Sequence, residues 1–425
     1  MQPSAGRTYQ DPLHGAITLD LSDPVEALLI QLIDTPPFQR LRRIRQLGPA
    51  SLTFHGAESS RFTHSLGVMA IARRAFDRIA SKHPDLCRYR AVVLCAALLH
   101  DIGHGPFSHT CEEIFGNHHE HWTERILQES LPIRSLLDGF SPNLLEQMRQ
   151  VYHKKHPVPL VWQLVTSQLD CDRLDYLMRD SYFTGASYGK LDLDRILMAM
   201  DYDALTQQLV VAKKGMAAIE HYLIVRYFMY AQIYNHPKNL AASWVLETAF
   251  RRAQELLALH QLWADDTMTA WLQQDCNQLS LNHYLEADDG LFTYHLQRWQ
   301  HGSEPILADL CRRFLDRDLP KAFDVTDLES DRQQQLLQAV LSKAVSSQQE
   351  RLKFDASESS QFSYCAGLRT TWSRGYTLYQ RGIKLQTGSG LREISDLSPL
   401  VKTLTQPWQR SWLIYPREVD LTEFL

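Results

Sequence analysis

A histidine and an aspartate stand side by side at the end of an apolar run. His100 and Asp101 follow residues 91–99, where apolar side chains recur with helical spacing, so the pair is predicted to emerge where a buried helix meets a pocket. Neutral imidazole and carboxylate groups are both good ligands for divalent metal ions of borderline softness. The pair therefore indicates a metal site, and a surface His-Asp pair at a helix end is the simpler alternative.

The density of histidines around this pair favours the metal site. Six histidines fall within the 22 residues 100–121, namely His100, His104, His109, His118, His119 and His121. His104 follows His100 by four residues and shares its helical face if the helix continues. The glycines and the proline within residues 103–106 then break the helix, so that His109 is expected to point back towards the pair.

Length and composition place these residues in a large globular protein. The chain has 425 residues, of which 44% are hydrophobic and 22% are charged, enough for a main domain and a smaller appendage. The net charge of −5 argues against a nucleic-acid partner but leaves room for a local basic pocket. Seven scattered cysteines without CxxC spacing indicate reduced thiols. Because no targeting core or bilayer-length apolar stretch is found, we expect a cytoplasmic protein without a membrane partner.

The periodicity of the chain predicts a mostly α fold in three parts. Residues 1–260 are predicted to form a helical core with an extended entry segment, residues 261–360 a helical extension, and residues 361–425 a small α+β lobe. A helix predicted over residues 38–46 carries Arg40, Arg42, Arg43 and Arg45. A solvated basic face is the usual explanation for such a run, and an anion-binding site is the alternative.

A metal ion needs more donors than one adjacent pair supplies. Residues 61–67 open a predicted helix with His64 in its first turn, and residues 170–172 open another with Asp172 near its N-terminus. Two histidines and two carboxylates leave coordination positions free for water and a phosphate oxygen, which hydrolysis requires. The four residues His64, His100, Asp101 and Asp172 are therefore the candidate ligands.

The order of these ligands resembles that of the HD-domain phosphohydrolases. The flanking motifs narrow the resemblance to the deoxynucleoside triphosphate (dNTP) triphosphohydrolases, in the branch that holds the vertebrate SAM- and HD-domain enzyme and its bacterial relatives. These motifs are DPLHG at 11–15, TPPFQRLR at 35–42, QLG at 46–48, SRFTHSLGV at 60–68, HDIGHGPFSH at 100–109 and DCDRLDY at 170–176. The resemblance covers residues 8–240 well and the C-terminal lobe loosely, and it implies an HD-domain helical core.

The resemblance also implies catalytic roles. His64, His100, Asp101 and Asp172 would hold one divalent ion, drawn from Mn, Fe, Ni, Co, Zn and Mg, and a further Mg would accompany the nucleotide. His119 would be the general acid beside the α-phosphate, with Glu112 orienting it, while His104 and His109 would face the phosphates. For His104 and His119, simple satisfaction of buried hydrogen bonds is the alternative.

Substrate contacts follow from the same resemblance. Phosphates would be held by Arg61, Arg173, Arg226 and Tyr176, and the sugar 3′-hydroxyl by Gln46 and Asp180. Tyr234 and Leu47 would pack against the sugar and exclude a 2′-hydroxyl. Because Tyr234 lies on an apolar helix, plain core packing is an equally good explanation of this residue.

A second nucleotide site is implied at a subunit interface. In the allosteric branch of the family, residues matching Asp34, Gln39 and Arg42 recognise the guanine of an activating nucleotide, and residues matching Asp192 and Arg195 add contacts. The sequence thus leads us to expect dGTP or GTP as an activator of a homo-oligomer, either a dimer or a tetramer.

The function predicted from the sequence is conversion of a dNTP and water to a deoxynucleoside and inorganic triphosphate. One alternative is a phosphodiesterase or nucleotidase acting on another phosphate ester, which keeps the metal but not Tyr234 and Arg226 as substrate residues. The other is a non-catalytic nucleotide sensor or nucleic-acid-binding partner. A pure binder needs no proton donor, so His119 speaks against the second alternative.

Overall fold

The structure is a computed structural model that describes residues 6–116, 118–275, 277–352, 364–378 and 382–423. Helices account for 59% of the fold, and the few small sheets are concentrated in its C-terminal part. The prediction of a mostly α protein with a small α+β lobe is therefore confirmed. The predicted boundary near residue 360 lies outside the described residues. Among the described helices, none is long and apolar enough to cross a membrane.

An antiparallel hairpin of β1 (Gly6–Asp11) and β2 (Gly15–Asp20) precedes the helices. The helices of the N-terminal 260 residues carry the site and bury most of their apolar faces against one another. They are α1 (Pro24–Ile33), α2 (Pro36–Arg40), α3 (Arg61–Ala80), α4 (Arg90–Leu99), α5 (His109–Phe115), α6 (His119–Glu129), α7 (Leu131–Phe140), α8 (Leu144–Tyr152), α9 (Pro159–Gln163), α10 (Cys171–Thr184), α11 (Leu193–Ala199), α12 (Met216–Met229) and α13 (Pro237–Ala258).

The remaining helices follow α13 and include those of the C-terminal lobe. They are α14 (Asp266–Gln273), α15 (Leu281–Glu286), α16 (Asp289–Trp299), α17 (Pro305–Leu315), α18 (Ser330–Leu352), α19 (Ile394–Leu397) and α20 (Pro399–Thr403). The strands after the hairpin are β3 (Met200–Asp203), β4 (Gln208–Ala212), β5 (Lys321–Asp324), β6 (Gly367–Arg374), β7 (Lys384–Thr387), β8 (Gly390–Glu393) and β9 (Pro407–Tyr415).

Two sheets join distant parts of the chain. One has the order β3-β4-β7-β8, in which β4 pairs in parallel with β7, so that Val211 lies opposite Leu385. The other has the order β5-β9-β6, with both pairings antiparallel. The strands that follow residue 363 therefore complete sheets that begin earlier in the chain.

Three helix ends bring the metal-ligand candidates together. Ser60 caps α3 by accepting a hydrogen bond from the backbone of its first turn, and Asp170 caps α10 in the same way. Helix α4 is buried over nearly its whole length and ends at Leu99, immediately before the His-Asp pair. Helices α3 and α10 approach closely at Gly67, where a Cβ atom would lie only 2.0 Å from Asp175 Oδ1. The absence of a side chain at this position is what permits the contact.

The helix predicted over residues 38–46 is wrong at its C-terminal end. Helix α2 ends at Arg40, a 3-10 turn covers Leu41–Arg43, and Ile44 is extended. The chain leaves the helix because its backbone instead pairs with the segment before α3, where the Arg61 amide donates to the Ile44 carbonyl at 2.9 Å. The Arg40 guanidinium is buried and donates to the carbonyls of Ala287 and His104. Arg40 is thus a buried core residue. It belongs neither to a solvated basic face nor to an anion-binding site.

Candidate metal centre and active site

The four predicted metal ligands converge. His64 Nε2 lies 3.1 Å from Asp172 Oδ1, 3.3 Å from His100 Nε2 and 3.5 Å from Asp101 Oδ2. His100 Nε2 lies 3.2 Å from Asp101 Oδ1 and 3.6 Å from Asp172 Oδ1. Donors bound to one ion at about 2.0–2.2 Å lie at such separations from one another. His64, His100 and Asp101 thus form a group of donors that could hold one divalent cation, and Asp172 contacts both imidazoles of this group.

In each imidazole, the Nδ1 atom, which faces away from the metal centre, is hydrogen-bonded to an acceptor. His64 Nδ1 donates to Asp175 Oδ2 at 2.8 Å, and His100 Nδ1 donates to the Ala97 carbonyl at 2.9 Å. Asp175 is fully buried and also contacts His14 Nε2 at 2.5 Å and Arg179 Nε at 2.8 Å. Because Nδ1 carries the proton in both rings, both Nε2 atoms are available to a metal ion.

The charges in the centre also suit a cation. Burial lowers the pKa of His64, but its hydrogen bonds to Asp172 and Asp175 outweigh this effect and raise that pKa to about 10, so a bound metal ion would displace the Nε2 proton of this ring. Burial raises the pKa of Asp101, but the positive charge of Arg61 and the neighbouring histidines bring it well below its usual value. The carboxylates are therefore ionised at neutral pH and can offer full negative charge to a bound ion.

Replacement of Asp175 by asparagine tests whether its hydrogen bond to His64 contributes to metal binding. The variant keeps the size of the side chain but weakens the hold on His64 Nδ1, so we expect metal affinity to fall by about 10- to 100-fold. Metal titration of the purified protein measures the change. Asp77→Asn, which alters an arginine-bound carboxylate elsewhere on α3, serves as the control and should leave metal affinity unchanged. Equal affinities in wild type and Asp175→Asn would contradict the assigned support.

A second cluster adjoins the metal centre. Glu112 Oε1 lies 2.7 Å from His119 Nδ1, 3.3 Å from His109 Nδ1 and 3.4 Å from His104 Nδ1. The rings of His104 and His119 stack with centroids 3.9 Å apart, and His104 Nε2 lies 3.4 Å from Asp101 Oδ1. The three predicted catalytic histidines and Glu112 therefore form one group beside the candidate ligands.

The protonation of this group suits proton donation by His119. Burial raises the pKa of Glu112, but hydrogen bonds from His109 and His119 bring it below the usual range, so this carboxylate is ionised. Burial and the nearby Arg61 charge lower the pKa of His104 well below its ordinary value. An ionised Glu112 accepts the Nδ1 proton of His119, and this leaves His119 Nε2 as the atom that can carry a transferable proton.

One cavity of about 340 Å³ contains most of the predicted site. Its lining residues are Gln46, Leu47, Arg61, His64, Asp101, His104, His109, His119, Asp172, Arg173, Tyr176, Asp180, Tyr230 and Tyr234. Arg61 donates to the Ser108 hydroxyl at 2.7 Å and pairs with Asp101. Tyr234 donates to Asp180 Oδ2 at 2.9 Å, and both residues line this cavity. Tyr230, in a π-helical segment with Tyr234, is a lining residue that sequence reasoning missed.

Arg226 does not line this cavity. It lines a neighbouring cavity of about 120 Å³, and Arg173 contributes to both. The Arg226 guanidinium donates to the Gly375 carbonyl at 3.3 Å and lies over the Tyr230 ring. The side chain is therefore directed towards the C-terminal lobe, and not towards the metal centre as its predicted role requires.

Asp180 gives a pH-dependent prediction. Burial raises the pKa of this carboxyl to about 7, although the hydrogen bond from Tyr234 partly offsets the shift. A carboxyl whose folded-state pKa lies above its unfolded value contributes stability at low pH, and this contribution is lost as pH rises through about 7. Between pH 5 and pH 8, we expect Asp180→Asn to gain roughly 2–4 kcal/mol in unfolding free energy relative to wild type. Denaturant unfolding at both pH values measures the difference, and parallel pH profiles would contradict the prediction.

The residues predicted for an activator site fall into two groups. Gln39 Nε2 donates to the Ile33 carbonyl at 2.7 Å, Arg42 Nε donates to Gln39 Oε1 at 2.7 Å, and Asp34 pairs with Arg7. Asp34, Gln39 and Arg42 therefore share one surface region. Asp192 and Arg195 lie at the exposed start of α11, where the Asp192 side chain caps the Arg195 amide. Among the described contacts, none joins this second pair to the first three residues.

Sequence reasoning missed the residues that support the metal ligands. Asp175 follows Asp172 by three residues on α10, a spacing that places both carboxylates near one helical face. His14 belongs to the DPLHG motif, and Asp11 of the same motif pairs with Arg179 at 2.9 Å. The DPLHG motif and the three-residue spacing of the two aspartates are the sequence signals that point to these supporting residues.

Comparisons with known proteins agree with this geometry. The HD domain family matches residues 61–163, and the HD associated region matches residues 191–350. YwfO from Bacillus subtilis is 39% identical over 317 residues, which cover 74% of this chain and 71% of YwfO. A deoxynucleoside triphosphate triphosphohydrolase SAMHD1 homolog from Dictyostelium discoideum is 29% identical over 271 residues, covering 60% of this chain and 51% of that protein.

A solved structure extends the similarity to nearly the whole chain. The crystal structure of a phosphohydrolase, BT4208, from Bacteroides thetaiotaomicron superposes with a TM-score of 0.83 at 27% sequence identity. The match covers 97% of this chain and 100% of that one. The similarity thus includes the C-terminal lobe as well as the helices that carry the candidate ligands.

Proposed function

Because the chain belongs to the HD-domain phosphohydrolases, a family of metal-dependent enzymes, we propose that it hydrolyses dNTPs to a deoxynucleoside and inorganic triphosphate. The observation that carries the proposal is the cavity of about 340 Å³, which joins the metal centre to a proton donor and to a Tyr234-Asp180 pair. A phosphate ester held near the metal would place its leaving oxygen beside His119. The similarity to proteins named dNTP triphosphohydrolases supports the same substrate class.

The side chains divide the chemistry between them. A divalent cation held by His64, His100, Asp101 and Asp172 would neutralise phosphate charge and lower the pKa of water. Arg61 and Arg173 add positive charge along the cavity, where phosphate oxygens need neutralisation. His119 then donates its Nε2 proton to the departing 5′-oxygen, and Glu112 stabilises the ring through Nδ1.

The sugar end of the cavity provides a basis for choosing deoxyribonucleotides. Tyr234 is held by its hydrogen bond to Asp180, so its ring is fixed beside the cavity that Leu47 also lines. A fixed ring on one side and an aliphatic side chain on the other leave an extra hydroxyl without space or a hydrogen-bond partner. We therefore assign the exclusion of ribonucleotides to this pair.

Product analysis tests the proposed activity. The holoprotein is incubated with each of the four dNTPs and with ATP, in Mn²⁺ or Mg²⁺, and the products are separated by chromatography. The expected result is deoxynucleoside and triphosphate formed in one step from dNTPs, with little or no product from ATP. Primary release of a nucleoside diphosphate or monophosphate would instead assign the site to a different phosphohydrolase. Hydrolysis of simple phosphodiesters in preference to dNTPs would do the same.

We further propose that dGTP or GTP activates the enzyme at a subunit interface that includes Asp34, Gln39 and Arg42. These side chains combine an acid, an amide and a guanidinium within one surface region, a set that matches the polar edge of guanine and a phosphate. Binding between subunits would couple activity to assembly into a dimer or tetramer.

The activation prediction is checked by dATP hydrolysis with and without dGTP, together with light scattering for mass. Wild type should be activated about 5- to 150-fold, the usual range of coupling between sites, and Asp34→Ala should lose most of this response. Asp138→Ala, which changes another exposed aspartate that pairs with an arginine, is the control and should respond normally. Equal rates with and without dGTP, and one unchanged mass, would show that this surface has no regulatory role.

A further inference from the structure

A second, larger cavity opens from the sugar end of the active site. Its volume is about 650 Å³, and it shares four lining residues with the catalytic cavity, namely Gln46, Leu47, His109 and Tyr234. Its other walls come from residues 48–50, from residues 107–113, from Asn235 and the start of α13, and from residues 369–372 of β6 in the C-terminal lobe. Because three of the shared residues, Gln46, Leu47 and Tyr234, are those proposed to contact the sugar, the group attached to the sugar would extend into this second cavity.

Asn239, in the wall of the second cavity, has a buried acceptor atom without a partner among the described residues. The residue lies in the first turn of α13 and is only 7% exposed. Its Nδ2 donates to the Ile233 carbonyl at 2.7 Å, which fixes the orientation of the amide, because only the NH₂ group can donate to a carbonyl. Its Oδ1 has no hydrogen-bond partner among the described residues. A buried acceptor left unpaired is unfavourable, so this oxygen is suited to a ligand that brings a donor.

Other unpaired amide atoms lie close to the same junction. Asn235 Nδ2 and Gln46 Oε1 are buried without partners among the described residues, and both side chains line the second cavity. Donor and acceptor groups together are what the edge of a nucleobase requires, whereas a phosphate would require cations. The lining arginine, Arg369, is already paired with Glu113 and Glu247, so it is neutralised.

Trp372 provides an aromatic surface at the rim of this cavity. Its side chain is 69% exposed on β6, which is an edge strand of the β5-β9-β6 sheet. The ion pairs of Arg369 hold the same strand against α5 and α13. An exposed indole on an anchored strand can stack on any flat base, and such stacking is a common means of binding nucleobases.

We infer that the second cavity is a nucleobase subsite in which Asn239 Oδ1 accepts a hydrogen bond from an exocyclic amino group and Trp372 stacks on the base. The inference rests on the proposed dNTP activity and adds a preference to it. Adenine and cytosine carry an amino group at C6 and C4, respectively, where guanine and thymine carry a carbonyl oxygen that cannot donate. The enzyme therefore favours dATP and dCTP over dGTP and dTTP.

The first test removes only the amino group from the substrate. dATP is compared with 2′-deoxypurine riboside triphosphate, which lacks the 6-amino group. In wild type, kcat/KM should be about 5- to 30-fold higher for dATP, the usual effect of one buried hydrogen bond. In Asn239→Ala, the ratio should fall to about twofold or less. An unchanged ratio in this variant, or no preference in wild type, overturns the role of Asn239.

The second test uses the exposed tryptophan, whose replacement leaves the buried helix start intact. Trp372→Ala should raise KM for all four dNTPs by about 5- to 20-fold without changing kcat, and Trp372→Phe should restore most of the affinity. Trp263→Ala removes an exposed tryptophan that lines a different cavity and should have no effect. If Trp372→Ala changes the mass seen by light scattering but not KM, the residue is a subunit contact and the stacking role is wrong.

A binding measurement separates this inference from the proposed activity. Calorimetric titration of the holoprotein with 2′-deoxyadenosine and with its amino-free analogue requires no hydrolysis. Tighter binding of deoxyadenosine, lost in Asn239→Ala, supports the subsite even if none of the dNTPs is hydrolysed. Equal binding of the two nucleosides overturns the subsite even if dNTP hydrolysis is confirmed.

Discussion

Replacement of Asp101 by alanine is expected to remove both the bound metal and the hydrolytic activity. The variant loses one of two carboxylates at the centre, and it leaves the Arg61 guanidinium, which pairs with Asp101, facing the metal site without its partner. An unpaired positive charge at this position opposes cation binding. We expect metal content to fall below about a tenth of the wild-type value and turnover to fall by about three orders of magnitude or more.

Elemental analysis of the purified variant and a dNTP hydrolysis assay measure the two effects. Asp194→Ala is the matched control, because Asp194 is an exposed aspartate that also pairs with an arginine. Circular dichroism of both variants checks that the helices are retained. If Asp101→Ala retained full metal occupancy, the ligand assignment would be wrong.

Replacement of His119 by alanine should abolish most turnover while leaving the metal in place. Glu112 holds the Nδ1 side of this ring at 2.7 Å, and the opposite nitrogen is the proposed proton donor. Loss of a general acid lowers turnover by about two to four orders of magnitude. Because His119 is not among the four ligands, metal content should change by less than about a tenth.

His118 offers a control that differs from His119 by one position. Its side chain is 82% exposed and lies 3.9 Å from Glu112, too far for a strong hydrogen bond. His118→Ala should therefore retain nearly full turnover. Equal loss in both variants would indicate that the segment as a whole, and not the proton of His119, is required. Loss of metal from His119→Ala would place this residue in the metal centre instead.

The candidate metal ligands could be located from the sequence because each lies next to a recognisable helix end. The His-Asp pair follows a continuous apolar run, and capping residues open the two other helices, at Ser60 and Asp170. These local signals determine where each side chain emerges. The approach of α3 to α10 then follows from the tight packing at Gly67, which the sequence alone does not show.

The orientation of the Arg226 side chain could not be predicted from such local signals. A long side chain on α12 can reach either cavity, and its actual partner is the carbonyl of Gly375, 149 residues later in the chain. The end of the helix after Arg40 was missed for a similar reason. Backbone pairing between Ile44 and Arg61 ends that helix, although the local arginine-rich sequence is compatible with its continuation. Contacts between distant segments decide both cases.

The parallel pairing of β4 with β7 has a consequence for synthesis of the chain. Until β7 emerges from the ribosome, β4 has an unpaired edge that carries Leu209, Val210 and Val211, and β5 lacks its partner β9. An exposed apolar edge can pair with other chains, so nascent or truncated molecules ending near residue 350 are expected to aggregate. Completion of the C-terminal lobe thus protects the helical core from misassociation, in addition to forming a wall of the second cavity.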